Sequence, residues 1–265
     1  MDDEVVAAAL RRLVERLAQE TERAGVADAG GLRKLSEPLH QVSPALDDAE
    51  RGGAATLDSV VEHAAAGSDP VGRARPTPRI FVTTADAHAY GSSVWRDTVD
   101  GLEQEQRFLL TDYTAGESTW INDMLRMRYP LPPSLQQQVR DLDAILARQP
   151  THEWVRVHKT IQAGRLFPDT DIAAVRPGDR GRFDDFVSTS LHPDGTLDLQ
   201  RLEHRNVEVT LDVPPGIPAI YVGDVSATLG EYELLLGRNL DFEVSDIQRV
   251  GRRWAVAATV TGIAT

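Results

Sequence analysis

The chain contains no cysteine, which excludes a disulfide framework, a thiolate zinc site, an iron–sulfur cluster and a cysteine nucleophile together. Lysine is nearly absent, standing only at Lys34 and Lys159, so almost all the positive charge is arginine. That is a coding bias of a GC-rich genome and carries no function. No apolar run approaches the roughly 18 residues a membrane helix needs. The opening MDDEVVAAALRRLVERL has acids where a signal peptide carries positive charge, so export is expected to use other machinery. A formal net charge of -13 repels phosphate backbones and makes a nucleic-acid partner unexpected without a local basic patch. What remains is a soluble globular composition, 41% hydrophobic and 26% charged over 265 residues. That length fits one large domain or a medium domain with an appendage.

Val6, Leu10, Leu13, Val14 and Leu17 recur at helical spacing with arginines and glutamates between them, an amphipathic helix. The run 67–78 holds three prolines and two glycines and reads as a linker. Residues 1–66 are then expected to form a small helical appendage and 79–265 the main domain. Within the latter, residues 92–127 read as helices. After Pro150 the pattern turns to strands: WVRVHKTI, DFVSTS, VEVTLDV, AIYV, ELLL, LDFEV and RWAVAATV, several of them alternating and parted by turns such as Pro193-Asp-Gly195. Helices first and strands afterwards predict an α+β fold, since a doubly wound parallel sheet interleaves the two.

Familiar catalytic signatures fail. His152-Glu153 opens like a zinc-protease helix, but Arg156 stands where the second histidine belongs, and the glycine-rich phosphate and nucleophile motifs are missing. Asp169-Thr-Asp171 sits among turn formers and is read as a turn; no metal site is expected. Three other elements stand at strands or strand edges. Arg156 lies in an otherwise apolar strand, where a guanidinium needs either an internal carboxylate or a bound phosphate. Ser188-Thr189-Ser190 ends a β-like run, where hydroxyls hold a carboxylate or close strand-end hydrogen bonds. Glu231-Tyr232-Glu233 leads into three leucines. In an extended chain its two carboxylates share a face and raise each other's pKa, an arrangement suited to chemistry, although a solvated strand edge reads the same way.

In this order the three elements resemble the Arg-Ser-Glu class of mono-ADP-ribosyltransferases, the family of clostridial binary-toxin enzymes and related bacterial exoenzymes. Residues 87–126 resemble that family's helical lead-in, with landmarks at Tyr113-Thr114, Ile121-Asn122 and Leu125-Arg126. The resemblance covers roughly 80–265. It departs where valines flank Arg156 and where Ser118 replaces an aromatic. It implies an ADP-ribosyltransferase fold, a helical lead-in followed by a mainly antiparallel β-sandwich core. It also implies NAD as co-substrate without a metal, with Glu233 facing the ribosyl cation, Ser188 holding Glu233 and Arg156 gripping the diphosphate. Tyr113, Asn122, Thr189 and Ser190 complete the implied NAD pocket. Glu231 is implied to activate an arginine acceptor on a target protein. A toxin or effector, secreted or delivered into a target cell and otherwise cytoplasmic, is the expected setting, with an immunity protein as a further partner. NAD glycohydrolysis and a non-enzymatic module on the same scaffold stay open as alternatives.

Overall fold

The computed structural model describes residues 76–196, 205–223, 225–226 and 230–264. The expected appendage, 1–66, and the linker up to residue 75 lie outside the described residues. Helix α1 (Thr84–Asp100) starts where Thr83 accepts a hydrogen bond from the Asp86 amide at 3.1 Å. It buries Ala87, Tyr90, Gly91, Trp95 and Val99 along one stripe. Trp95 Nε1 lies 2.8 Å from the carbonyl oxygens of both Gln149 and Ala219, which pins this helix to the sheet. Helix α2 (Gln104–Asp112) opens on a capping box of Glu103 and Gln106. A π-helical turn (Tyr113–Glu117) carries it into α3 (Ser118–Arg126). Helix α4 (Pro133–Leu146), not anticipated from sequence, has proline in its first turn and an apolar stripe of Leu135, Val139, Leu142, Ile145 and Leu146. No described helix is long and apolar enough to cross a membrane.

Among the described residues eight strands follow: β1 (Val155–Ile161), β2 (Arg180–Phe183), β3 (Val187–Ser190), β4 (Val207–Val213), β5 (Ala219–Tyr221), β6 (Glu233–Leu236), β7 (Leu240–Val250) and β8 (Arg253–Ile263). A one-turn helix, α5 (Ala163–Leu166), follows β1. The strands join in the order β2-β7-β8-β4-β1-β3-β6-β5, antiparallel except for β4 beside β8. The α+β expectation therefore holds.

One feature of this sheet makes the site. Strand β1 pairs with β4 along its whole length but meets β3 only at His158 and Ser190. Past that bridge the two halves of the sheet part, and the end of β1 is left facing β3 across open space.

Candidate active site

A cavity of about 390 Å³ occupies this split. One wall is His158–Gln162 at the end of β1, another is Ser188–Ser190, and α3 contributes Ser118, Thr119, Asn122 and Arg126. Glu231 and Glu233 line it from the segment entering β6. Thr160 Oγ1, buried in the same wall, has no hydrogen-bond partner among the described residues.

Strands β3 and β6 set the carboxylates through their register, Ser188 opposite Leu235 and Ser190 opposite Glu233. Glu233 is 5% exposed. Burial raises its pKa to about 7; the Glu231 carboxylate pushes the same way, while a hydrogen bond from Ser188 and the Lys159 ammonium pull it down. Lys159 Nζ donates to the Ser188 carbonyl at 2.9 Å, tying the two sides of the split together. Enclosure lowers the Lys159 pKa to about 8, with Asp185 and Glu233 opposing the shift.

The two glutamates do come together, but not by strand alternation. Glu231 precedes β6, and Tyr232 has a left-handed backbone (φ 47°), so the extended geometry expected from sequence does not apply. A kinked turn brings both side chains to the cavity. Ser190 supports it: its Oγ lies 2.6 Å from the Glu231 carbonyl oxygen and 2.7 Å from that of His192. Thr189 lines the cavity, yet its hydroxyl donates to the Leu234 carbonyl at 2.6 Å and serves β3–β6 pairing.

Two expected pocket residues stand elsewhere. Arg156 is 4% exposed and does not line the cavity. Its guanidinium meets Asp212 through Nε–Oδ1 at 2.7 Å and Nη2–Oδ2 at 3.1 Å, directly across the β1–β4 register. Of the two partners weighed for this arginine, the structure supplies the internal carboxylate. Tyr113 sits behind the wall: its hydroxyl is bonded to the Asn122 amide at 2.9 Å, and Asn122 in turn donates to the Phe186 carbonyl at 3.3 Å. Asn122 lines the cavity while Tyr113 orients it.

The cationic groups at the cavity are instead Arg126, Lys159, Arg165 and Arg205. Arg126, at the end of α3, binds Asp185 at 2.9 Å; Arg165 lies 3.3 Å from Asp123. Arg205 donates to the Thr160 carbonyl at 3.1 Å, and its pKa is lowered by burial and by neighbouring Arg165 and Arg126. Four cationic side chains thus gather at one cavity on a chain of net charge -13, two of them already paired with Asp185 and Asp123. The Leu125-Arg126 landmark pointed to one of them. Lys159, one of two lysines in the chain, was not singled out, since the scarcity of lysine reflects coding bias. Arg165 and Arg205 carried no signal, since surface arginines are common here.

The family model described as ADP-ribosyltransferase exoenzyme matches residues 87–261, a span that takes in every residue of this cavity. The chain belongs to the ADP-ribosyltransferase exoenzyme family. The exoenzyme thus uses NAD as its ADP-ribose donor. Solved structures agree on the fold. Plx2a, an ADP-ribosyltransferase toxin from Paenibacillus larvae, is 23% identical with a TM-score of 0.58, covering 67% of this chain and 96% of that one. The C3 exoenzyme of Clostridium limosum is 21% identical with a TM-score of 0.60, covering 71% and 98%. BECa of a C. perfringens binary enterotoxin, solved with NADH, is 15% identical with a TM-score of 0.58, covering 69% and 50%. No curated protein sequence matches the chain.

The place of Arg156 in the exoenzyme gives a first expected result. Arg156→Ala strands the Asp212 carboxylate inside the sheet and should lower stability by about 3 kcal/mol, the low end for a broken buried pair because Asp212 keeps some contact with water. NAD affinity of the folded variant should be unchanged. Thermal melts and calorimetric titration with NAD check both; a large loss of affinity at unchanged stability would return Arg156 to the diphosphate.

Proposed function

We propose that the exoenzyme transfers a single ADP-ribose from NAD to an arginine side chain of a target protein, as a toxin or effector. The observation that carries the reading is the pair Glu231 and Glu233 in one cavity, with Ser188 hydrogen-bonded to Glu233 and guanidinium groups lining the same cavity. The bond from the ribose anomeric carbon to the nicotinamide nitrogen breaks, its electrons leave with nicotinamide, and positive charge develops on the ribose. Fixed negative charge at that point lowers the barrier. Glu233, held by Ser188, supplies it. Arg126, Arg165 and Arg205 meet the diphosphate, for which a planar fork of donors is suited. An arginine acceptor is protonated at neutral pH and a poor nucleophile. Glu231 orients it and takes its proton as the new carbon–nitrogen bond forms.

The exoenzyme description of the family supports delivery to another cell, and an immunity protein in the producing cell fits such a role. Incubation with labelled NAD and agmatine, an arginine mimic, tests the chemistry: ADP-ribosylated agmatine supports the reading, and ADP-ribose alone with agmatine unmodified overturns the acceptor. The same incubation with a cell lysate names the target.

A pH dependence follows from Glu233. Its carboxylate is the working form, and burial places its pKa near 7, so transfer and hydrolysis should both rise as pH passes through about 7. Ser188 bonds the ionised form and lowers that pKa. Ser188→Ala should therefore move the rising limb to higher pH besides lowering the plateau. The profile of nicotinamide release against pH checks it; a limb that stays in place removes Ser188 from its role.

A further inference from the structure

The sequence Pro193-Asp-Gly195 invites a simple account of its glycine as a turn residue with a left-handed backbone. Gly195 is not of that kind. Gly178, Gly216, Gly230 and Gly251 have positive φ; Gly195 does not. What this position lacks is room. A Cβ placed on Gly195 would overlap the Glu231 carbonyl oxygen and Ser190 Oγ, and would lie 2.8 Å from the Glu231 carbonyl carbon. Backbone atoms cannot rotate out of the way, so the contact is relieved only by moving one segment off the other.

The crowded atoms are those that hold Glu231. That residue lies outside the β-ladder, between Gly230 at φ 85° and Tyr232 at φ 47°. Its carbonyl is fixed by Ser190 Oγ and backed by the 3₁₀ turn Pro193–Thr196. Glu233 has backbone restraints of its own. It pairs with Ser190 at the start of β6, and its carbonyl accepts from the Val222 amide at 3.0 Å. Pressure at position 195 therefore falls first on the Glu231 carbonyl, whose residue lies outside the ladder, and on the Ser190 hydroxyl that holds it.

We propose that Gly195 is a positioning residue for the acceptor: its bare backbone lets the Pro193–Thr196 turn seat against the Glu231 carbonyl, which fixes where the Glu231 carboxylate enters the cavity and thereby whether ADP-ribose passes to a guanidinium or to water. The inference rests on the reading of Glu231 as the acceptor's base. Sub-ångström placement of such a group matters, because a misplacement of about 1 Å costs on the order of 10²-fold in rate.

The test is Gly195→Ala in the full chain, beside Asp194→Ala, which alters the same turn at an exposed side chain. Agmatine ADP-ribosylation and NAD hydrolysis are measured on one sample, with calorimetric NAD affinity and a thermal melt. Gly195→Ala should lose about 10²-fold in transfer while hydrolysis and NAD affinity stay at the wild-type level, and Asp194→Ala should keep both activities. Equal loss of transfer and hydrolysis, whether from misfolding or from a damaged cavity, overturns the proposal, and so does undiminished transfer. Glu231→Gln run in parallel separates two failures. If that variant itself transfers to agmatine normally, the reading of Glu231 has failed; if it loses transfer while Gly195→Ala keeps it, only the seating of the turn is wrong.

Discussion

Glu233→Gln should remove transfer and NAD hydrolysis together, by about 10²- to 10³-fold, the loss seen when one preorganised electrostatic group is deleted from an active site. The substitution keeps shape and most hydrogen bonding, so only the charge opposite the ribosyl cation is lost. That cation is common to both outcomes, whichever nucleophile collects it. Stability should move the other way. The folded-state pKa of Glu233 is raised from 4.5 to about 7, so the folded chain holds this proton more tightly than the unfolded one. The contribution is complete below the unfolded value and is lost as pH rises through about 7. Above that pH the wild-type chain carries a buried carboxylate that opposes folding, and the neutral glutamine does not. A melting temperature for Glu233→Gln equal to or above wild type at alkaline pH, with both activities gone, fits a residue kept for chemistry at the expense of stability. Retained hydrolysis would remove Glu233 from the cation.

Much of this fold and part of the site was legible in the sequence, for identifiable reasons. VEVTLDV alternates strictly, and β4 shows the same alternation in burial. Strand β2 was missed because its four residues, RGRF, contain one apolar side chain. It is held by its ladder to β7 and by Phe183 packed on Phe242, with exposed ion pairs Arg180–Glu243 and Arg182–Asp241 along the edge, and such long-range contacts leave no local pattern. Helix α4 was missed although Leu135, Val139, Leu142, Ile145 and Leu146 form a periodic stripe. Ser188 and Glu233 were singled out by the order of the three motifs and the resemblance they carry, since a hydroxyl cluster at a strand end and paired acids at a strand edge each also have an ordinary structural reading.

Arg156 shows where local reading ends. A guanidinium in an apolar strand announces a buried anion but not which one; the answer stands 56 residues away in Asp212. Once β1 and β4 are aligned, those two residues face each other. The gap that holds the cavity is likewise a property of pairing. It exists because β1 and β3 share one bridge, and no residue in either strand encodes it alone.

Glu231→Gln should divide the two activities that Glu233→Gln removes together. Glutamine at 231 can still orient a guanidinium by hydrogen bonding but cannot accept its proton, so transfer to agmatine should fall by about 10²- to 10⁴-fold, the range of a positioned general base. Hydrolysis of NAD to ADP-ribose and nicotinamide should continue, since the cation still faces Glu233. A second consequence distinguishes this role from mere disturbance of the turn. The Glu231 carboxylate raises the Glu233 pKa, so neutralising it should lower that pKa and move the rising limb of hydrolysis to lower pH. The variant should then hydrolyse NAD on the acid side of neutrality at a larger fraction of its plateau than wild type does. Both products measured across the same pH range decide the matter. Equal loss of both activities would end the division of labour, undiminished transfer would show that arginine is not the acceptor, and an unmoved limb would mean that the two carboxylates do not share the field their place in one cavity implies.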